Sequence, residues 1–220
     1  MKIIKYLIGK IIPFNKVVKV LILSDLFLLF GWGLVTPILA IFITESVKSG
    51  DAKVAGIATG IFWLGKSVIQ IPIAHYLDKK RGEKDDYRAM IAGTILSGFV
   101  PLGFIFVSLP WHLYLLQGIY AMAMAFAVPS WSAIFTRHID KGKEALTWGV
   151  ESSSWGIGTG VAGIIGGLVA NSFGFKPLFI GVCLFNFVAA ALLFLIAKNA
   201  SLQKEIYSAI TPDPRLPWGR

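Results

Sequence analysis

Asp25, Lys66 and Glu151 stand inside long apolar stretches of the chain. An ionisable side chain at membrane depth costs about 2.5 to 3.5 kcal/mol on insertion scales, so each is expected to face an internal cavity or a partner rather than lipid. Acids and a base held in this way can exchange a proton or engage a charged group on a small molecule. Asp25 shares a helix face with Leu29, Trp32 and Thr36, and Lys66 shares one with Trp63 and Gln70. Glu151 has Thr147 and Trp155 on its own face and is followed by Ser152, Ser153 and Ser154. At helical rise, Asp25 lies roughly 12 Å and Lys66 roughly 18 Å from the nearer basic flank. The four-carbon stem of a lysine spans such a gap. Two expectations stand side by side: a structural ion pair between Asp25 and Lys66, or a cavity whose acids and base handle protons or substrate. Asp25 and Glu151 are also within reach of the headgroup layer.

The elements that position these residues are six apolar segments, at about Val17–Ile43, Val54–Leu77, Tyr87–Ser108, Trp111–Phe135, Ala145–Ala170 and Phe175–Ala197. About 20 helical residues cross a bilayer core of about 30 Å, because each segment must satisfy its own backbone hydrogen bonds there. Hydrophobic residues make up 55% of the 220 and charged ones 15%, and the mean hydropathy is +0.70. The expected fold class is therefore all-α integral membrane, with six transmembrane helices in one bundle over residues 17–197. Residues 1–16 are expected to form a cytoplasmic, interfacial helix with Ile4, Leu7, Ile8 and Ile11 towards lipid, and residues 198–220 a flexible cytoplasmic tail.

Basic residues set the orientation, since Lys and Arg stay preferentially on the cytoplasmic side. They gather before segment one, between segments two and three (Lys79, Lys80, Arg81, Lys84, Arg88), after segment four (Arg137, Lys141, Lys143) and after segment six. The other side carries only Lys48, Lys53 and Lys176. Both termini are thus expected in the cytoplasm, and the chain in a cytoplasmic membrane. The net charge of +9 follows from this topology, so no nucleic-acid partner is expected; the lipid bilayer is one.

Segment five holds the small-residue pairs Gly156/Gly160 and Gly163/Gly167, which are expected to carry close helix packing. Gly56 and Gly60 in segment two echo them and hint at a 3+3 inverted repeat. Pro37, Pro72, Pro101 and Pro129 fall within segments one to four, where kinks are expected. No His-Glu-x-x-His, Gly-x-Ser-x-Gly or carboxylate cluster is present, so neither an enzyme activity nor a cofactor is expected. The lone Cys183 excludes an intramolecular disulfide.

Ala74-His-Tyr-Leu-Asp78-Lys-Lys-Arg-Gly82, between segments two and three, resembles the Gly-x-Leu-Ala-Asp-Arg-x-Gly-Arg-Arg signature of the major facilitator superfamily. Leu116-Gln-Gly-Ile-Tyr-Ala and Gly160-x-x-Gly-x-x-x-Gly-Leu168, followed by Phe173-Gly-Phe-Lys-Pro-Leu-Phe179, resemble later stretches of that family in the same order. Ala74 replaces the first Gly, one extra residue separates Asp78 from Gly82, and Tyr114 stands where the family has an Arg in its fourth helix. The resemblance implies solute transport by alternating access between two six-helix bundles. It also implies a cytoplasmic latch made by Asp78 with Lys79, Lys80 and Arg81, aided by Arg137.

Six segments correspond to one such bundle. A homodimer or a separate second half is therefore expected to cover the polar face, with segments one, two, four and five at the interface. The expected function is secondary transport of a small organic solute, coupled to protons through Asp25. The alternative is a membrane scaffold or assembly subunit that keeps the fold without transporting.

Overall fold

The computed structural model describes residues 14–79 and 83–197. Most of the expected interfacial helix at residues 1–16, together with Lys80, Arg81, Gly82 and the tail at 198–220, lies outside them. The described residues form α1 (Lys16–Gly33), α2 (Leu39–Ser46), α3 (Ala52–Asp78), α4 (Lys84–Phe104), α5 (Pro110–Arg137), α6 (Glu144–Phe173) and α7 (Lys176–Leu193). α1 and α2 make up segment one, α3 to α6 are segments two to five, and α7 with a 3₁₀ turn at Phe194–Ile196 is segment six. All six are long and apolar enough to cross a membrane.

Local chemistry sets the ends. The side chain of Asn15 accepts from Val18 N at 3.0 Å to cap α1, and that of Asp51 accepts from Val54 N at 2.8 Å to cap α3. Gly174, at φ 76°, closes α6 in a conformation that disfavours a side chain. Only one of the four expected proline interruptions coincides with a break: Pro37 sits in a 3₁₀ turn (Thr36–Ile38) that divides α1 from α2. Pro72, Pro101 and Pro129 lie within unbroken α3, α4 and α5. In a membrane, neighbouring helices and local adjustment satisfy the groups a proline frees.

Packing between neighbours gives an open arc of segments in the order two, four, three, six, one, five. Exchanging one with four, two with five and three with six turns this order into its own reverse, as a 3+3 inverted repeat requires. Segments three and six form the back of the arc. Across their seam Ser97 Oγ donates to Asn186 Oδ1 at 3.1 Å, while within segment six Asn186 Nδ2 donates to the Val182 carbonyl at 2.8 Å. Segments one and four face each other across the front with few direct contacts. Two apolar clusters hold the arc together, one around Phe42, Phe104, Leu113 and Phe179 and the other around Leu21, Met90, Phe135 and Leu193. Lipid tails are as apolar as these side chains, so shape fit holds the bundle more than hydrophobic burial does.

Glycines set the closest approaches, but not the ones expected. A Cβ on Gly166 would fall 1.9 Å from the Leu34 carbonyl oxygen, and one on Gly158 would fall 2.6 Å from Leu26 Cδ1. A Cβ on Gly163 would meet Pro37 at 3.3 Å, whereas Gly156, Gly160 and Gly167 meet nothing within 4 Å. The face of α6 that meets segment one is thus the one carrying Gly158 and Gly166. Of the four glycines in the expected pairs, three face open space.

Candidate functional site

The front of the arc is a cavity of about 690 Å³. Asp25, Leu28, Trp32 and Thr36 line it from segment one; Thr59, Phe62, Trp63 and Lys66 from segment two; Gln117, Tyr120 and Trp131 from segment four; and Trp155 and Thr159 from segment five. The apolar periodicity of these helices explains the placement. A helix whose polar residues recur three or four positions apart turns that stripe away from lipid. Trp32 Nε1 and Thr159 Oγ1 are buried at this cavity with no hydrogen-bond partner among the described residues. They are two orientable groups that water or a ligand can satisfy.

The ionisable residues arrange differently from the sequence expectation. Asp25 does not pair with Lys66. Its side chain meets that of Glu151, carboxyl to carboxyl within hydrogen-bonding reach, because segments one and five are neighbours in the arc. Lys66 sits on segment two at the far end of the arc, and its ammonium lies 5.2 Å from the centre of the Trp63 ring. Between acid pair and base runs a series of rings. Tyr120 lies within electrostatic reach of Asp25 and stacks on Trp32 at 4.1 Å and on Phe62 at 4.6 Å. Phe62 meets Trp63 edge-on at 5.0 Å. Gln70, a turn beyond Lys66, is half-buried and does not line the cavity. Sequence reasoning missed Phe62, which carries no polar signal.

The sequence pattern of the Major Facilitator Superfamily matches residues 21–218. The chain belongs to this superfamily. It is 32% identical over 175 residues to the multi-drug resistance efflux pump PmrA of Streptococcus pneumoniae, covering 76% of this chain and 41% of that protein. It is 26% identical over 176 residues to the uncharacterised MFS-type transporter MJ1560 of Methanocaldococcus jannaschii, covering 80% of this chain and 44% of that one. The chain thus spans less than half the length of these curated relatives.

In the major facilitator bundle the structure brings together a second polar cluster, at the basic ends of segments three and four. Arg137, expected to aid Asp78, instead bonds Asp86, whose side chain is only 3% exposed. His138 Nδ1 lies 2.9 Å from the Ile134 carbonyl and 3.5 Å from Glu83 Oε1, and Asn15 Nδ2 donates to the His138 carbonyl. Burial raises the Glu83 carboxyl from 4.5 to about 7, against the pull of Arg137 and with a push from Asp86. Burial likewise lowers the His138 imidazole. Asp78 and Lys79 end α3 on exposed surface, and Ala74 is half-buried one turn earlier. The sequence signal for this cluster was an acid and a base at the ends of adjacent antiparallel helices.

Proposed function

We propose that this chain forms one six-helix half of a secondary transporter that moves small organic solutes across the cytoplasmic membrane by alternating access, with a second half closing the front of the arc. The observation that carries the reading is that Asp25, on the cavity wall, meets Glu151 carboxyl to carboxyl within hydrogen-bonding reach. Segments two and five, the two ends of the arc, support it. Only 11% and 17% of their most apolar stretches are buried, against 39–50% in the other four. Gly56, Gly60, Gly156 and Gly160 on these two segments meet nothing within 4 Å. Small residues on an open helix face are what a second half needs for close approach. That half is an identical copy or a different six-helix bundle, and both termini of this chain face the cytoplasm.

Two carboxyl groups in contact repel when both are ionised, so a shared proton and a substrate cation compete for the pair. Exchange of one for the other couples transport to the proton gradient. The efflux-pump relative supports assigning a drug-like solute to this exchange, and the acid pair supports a cationic one. Proteoliposomes holding the purified assembly, given pH gradients of either sign, are expected to accumulate ethidium in one direction. Asp25→Asn and Glu151→Gln are each expected to cut that accumulation at least tenfold. Full accumulation in the double variant, or none in wild type, refutes the proposal.

A further inference from the structure

The rings between the acid pair and Lys66 form a continuous ladder, and its two ends carry opposite chemistry. At one end Asp25 and Glu151 offer carboxyl oxygens to a cation. Tyr120 starts the ladder beside Asp25, with Trp32 against one face and Phe62, nearly parallel at 15°, against the other. Phe62 passes contact to Trp63, and Trp63 carries the Lys66 ammonium. Steps of 4.6, 5.0 and 5.2 Å separate the Tyr120 ring from Lys66 Nζ. Every member of the ladder lines the one cavity.

Lys66 makes no ion pair among the described residues, although it is half-buried and carried on an apolar helix. Trp63 gives its charge a ring face but no anion, and a lysine ammonium has three donors to satisfy. A cavity built only for cations gains nothing from a fixed positive charge at one end, since like charges repel most strongly where water is scarce. A ligand with an anionic group at that end turns the repulsion into attraction.

We infer that the cavity is built for aromatic zwitterions: a protonated amine on the Asp25–Glu151 pair, a planar ring system along Trp32, Tyr120 and Phe62, and a carboxylate on Lys66. The three ladder steps laid end to end bound the distance from the Tyr120 ring to Lys66 Nζ, and the acid pair lies beyond Tyr120. This rests on the transport reading for the site and names the class of solute that fits it. Lys66 acts as the residue that separates zwitterions from simple cations, while the acid pair serves both.

The test uses three matched probes: 6-(aminomethyl)-2-naphthoic acid, its methyl ester, and its N-acetyl derivative. They keep one ring and present both charges, the cation alone and the anion alone. Binding to the purified assembly in nanodiscs is read by tryptophan quenching. Wild type is expected to bind the acid about tenfold more tightly than the ester, the size of one charge-assisted hydrogen bond. The N-acetyl derivative is expected to bind more weakly than either. Lys66→Gln is expected to erase the preference by weakening binding of the acid and tightening that of the cationic ester, and Lys66→Arg to keep it. An acid bound by wild type no more tightly than its ester overturns the inference without any variant, and so does a preference that survives Lys66→Gln. Ester binding that Asp25→Asn weakens supports the transport reading whichever way the preference falls. Absence of saturable binding for all three probes overturns both.

Discussion

Gly166→Ala asks whether segments one and five meet as closely as the structure shows. The added methyl carbon falls 1.9 Å from the Leu34 carbonyl oxygen, 2.7 Å from Leu34 C and 3.0 Å from Leu34 Cα. All three are backbone atoms, so no side chain can rotate out of the way. Restoring even a 3.0 Å separation from the oxygen moves one helix by about 1.1 Å, in an interface that also seats Gly33 against Ala162 and Gly158 against Leu26. Overpacking of this kind costs about 1 to 3 kcal/mol, which lowers a melting midpoint by about 3 to 10 °C in a chain of this size. Gly167→Ala is the matched control: one residue on, the new carbon meets nothing within 4 Å, and its midpoint is expected to stay within about 1 °C of wild type. The chain supplies its own reporter, since its single cysteine, Cys183, is 7% exposed. Labelling by a maleimide dye that fluoresces on reaction therefore follows unfolding in detergent. Equal midpoints for the two variants, or a larger loss at Gly167, defeat the packing described for this pair of helices.

Two further expectations concern the basic ends of segments three and four. Arg137→Ala leaves the buried Asp86 carboxylate without its partner, and is expected to cost about 2 to 3 kcal/mol, below the range for a fully buried pair because Arg137 is 32% exposed. Adding Asp86→Asn should recover most of that loss, and the same dye assay would show failure as an additive penalty. At Glu83 the folded chain holds a proton between 4.5 and about 7 that the unfolded chain has released, so this group's contribution falls as pH rises through that window and is flat above it. Glu83→Gln is therefore expected to raise the melting midpoint at pH 8 by more than at pH 5. An equal shift at both pH values removes the buried carboxyl from the explanation.

The six segments were legible because hydrocarbon leaves the backbone few choices: a run that long and apolar is a helix wherever its neighbours lie. Asp25, Lys66 and Glu151 were legible as residues for the same reason, since a charge in such a run stands out whatever it does. Their partners were not. Whether Asp25 meets Lys66 or Glu151 depends on which helices adjoin, and the arc puts segment five beside segment one while carrying segment two to its opposite end. The glycines of α6 show the same limit at finer scale. Gly158 and Gly166 belong to the same run as Gly156, Gly160, Gly163 and Gly167, and only the rotation of the helix selects among them. Arg137 had several acids at this end of the bundle to choose from, and took Asp86, which lies on a helix antiparallel to its own.

The seam at Ser97 and Asn186 has a mechanical consequence. Segments two, four and three on one side, and one, five and six on the other, join chiefly along that line, so it acts as the fulcrum of a pair of tongs whose tips are segments two and five. A slight twist at the fulcrum is magnified at the tips by the width of each arm. It changes the grip between Glu151 and Lys66 far more than it disturbs the residues at the fulcrum itself.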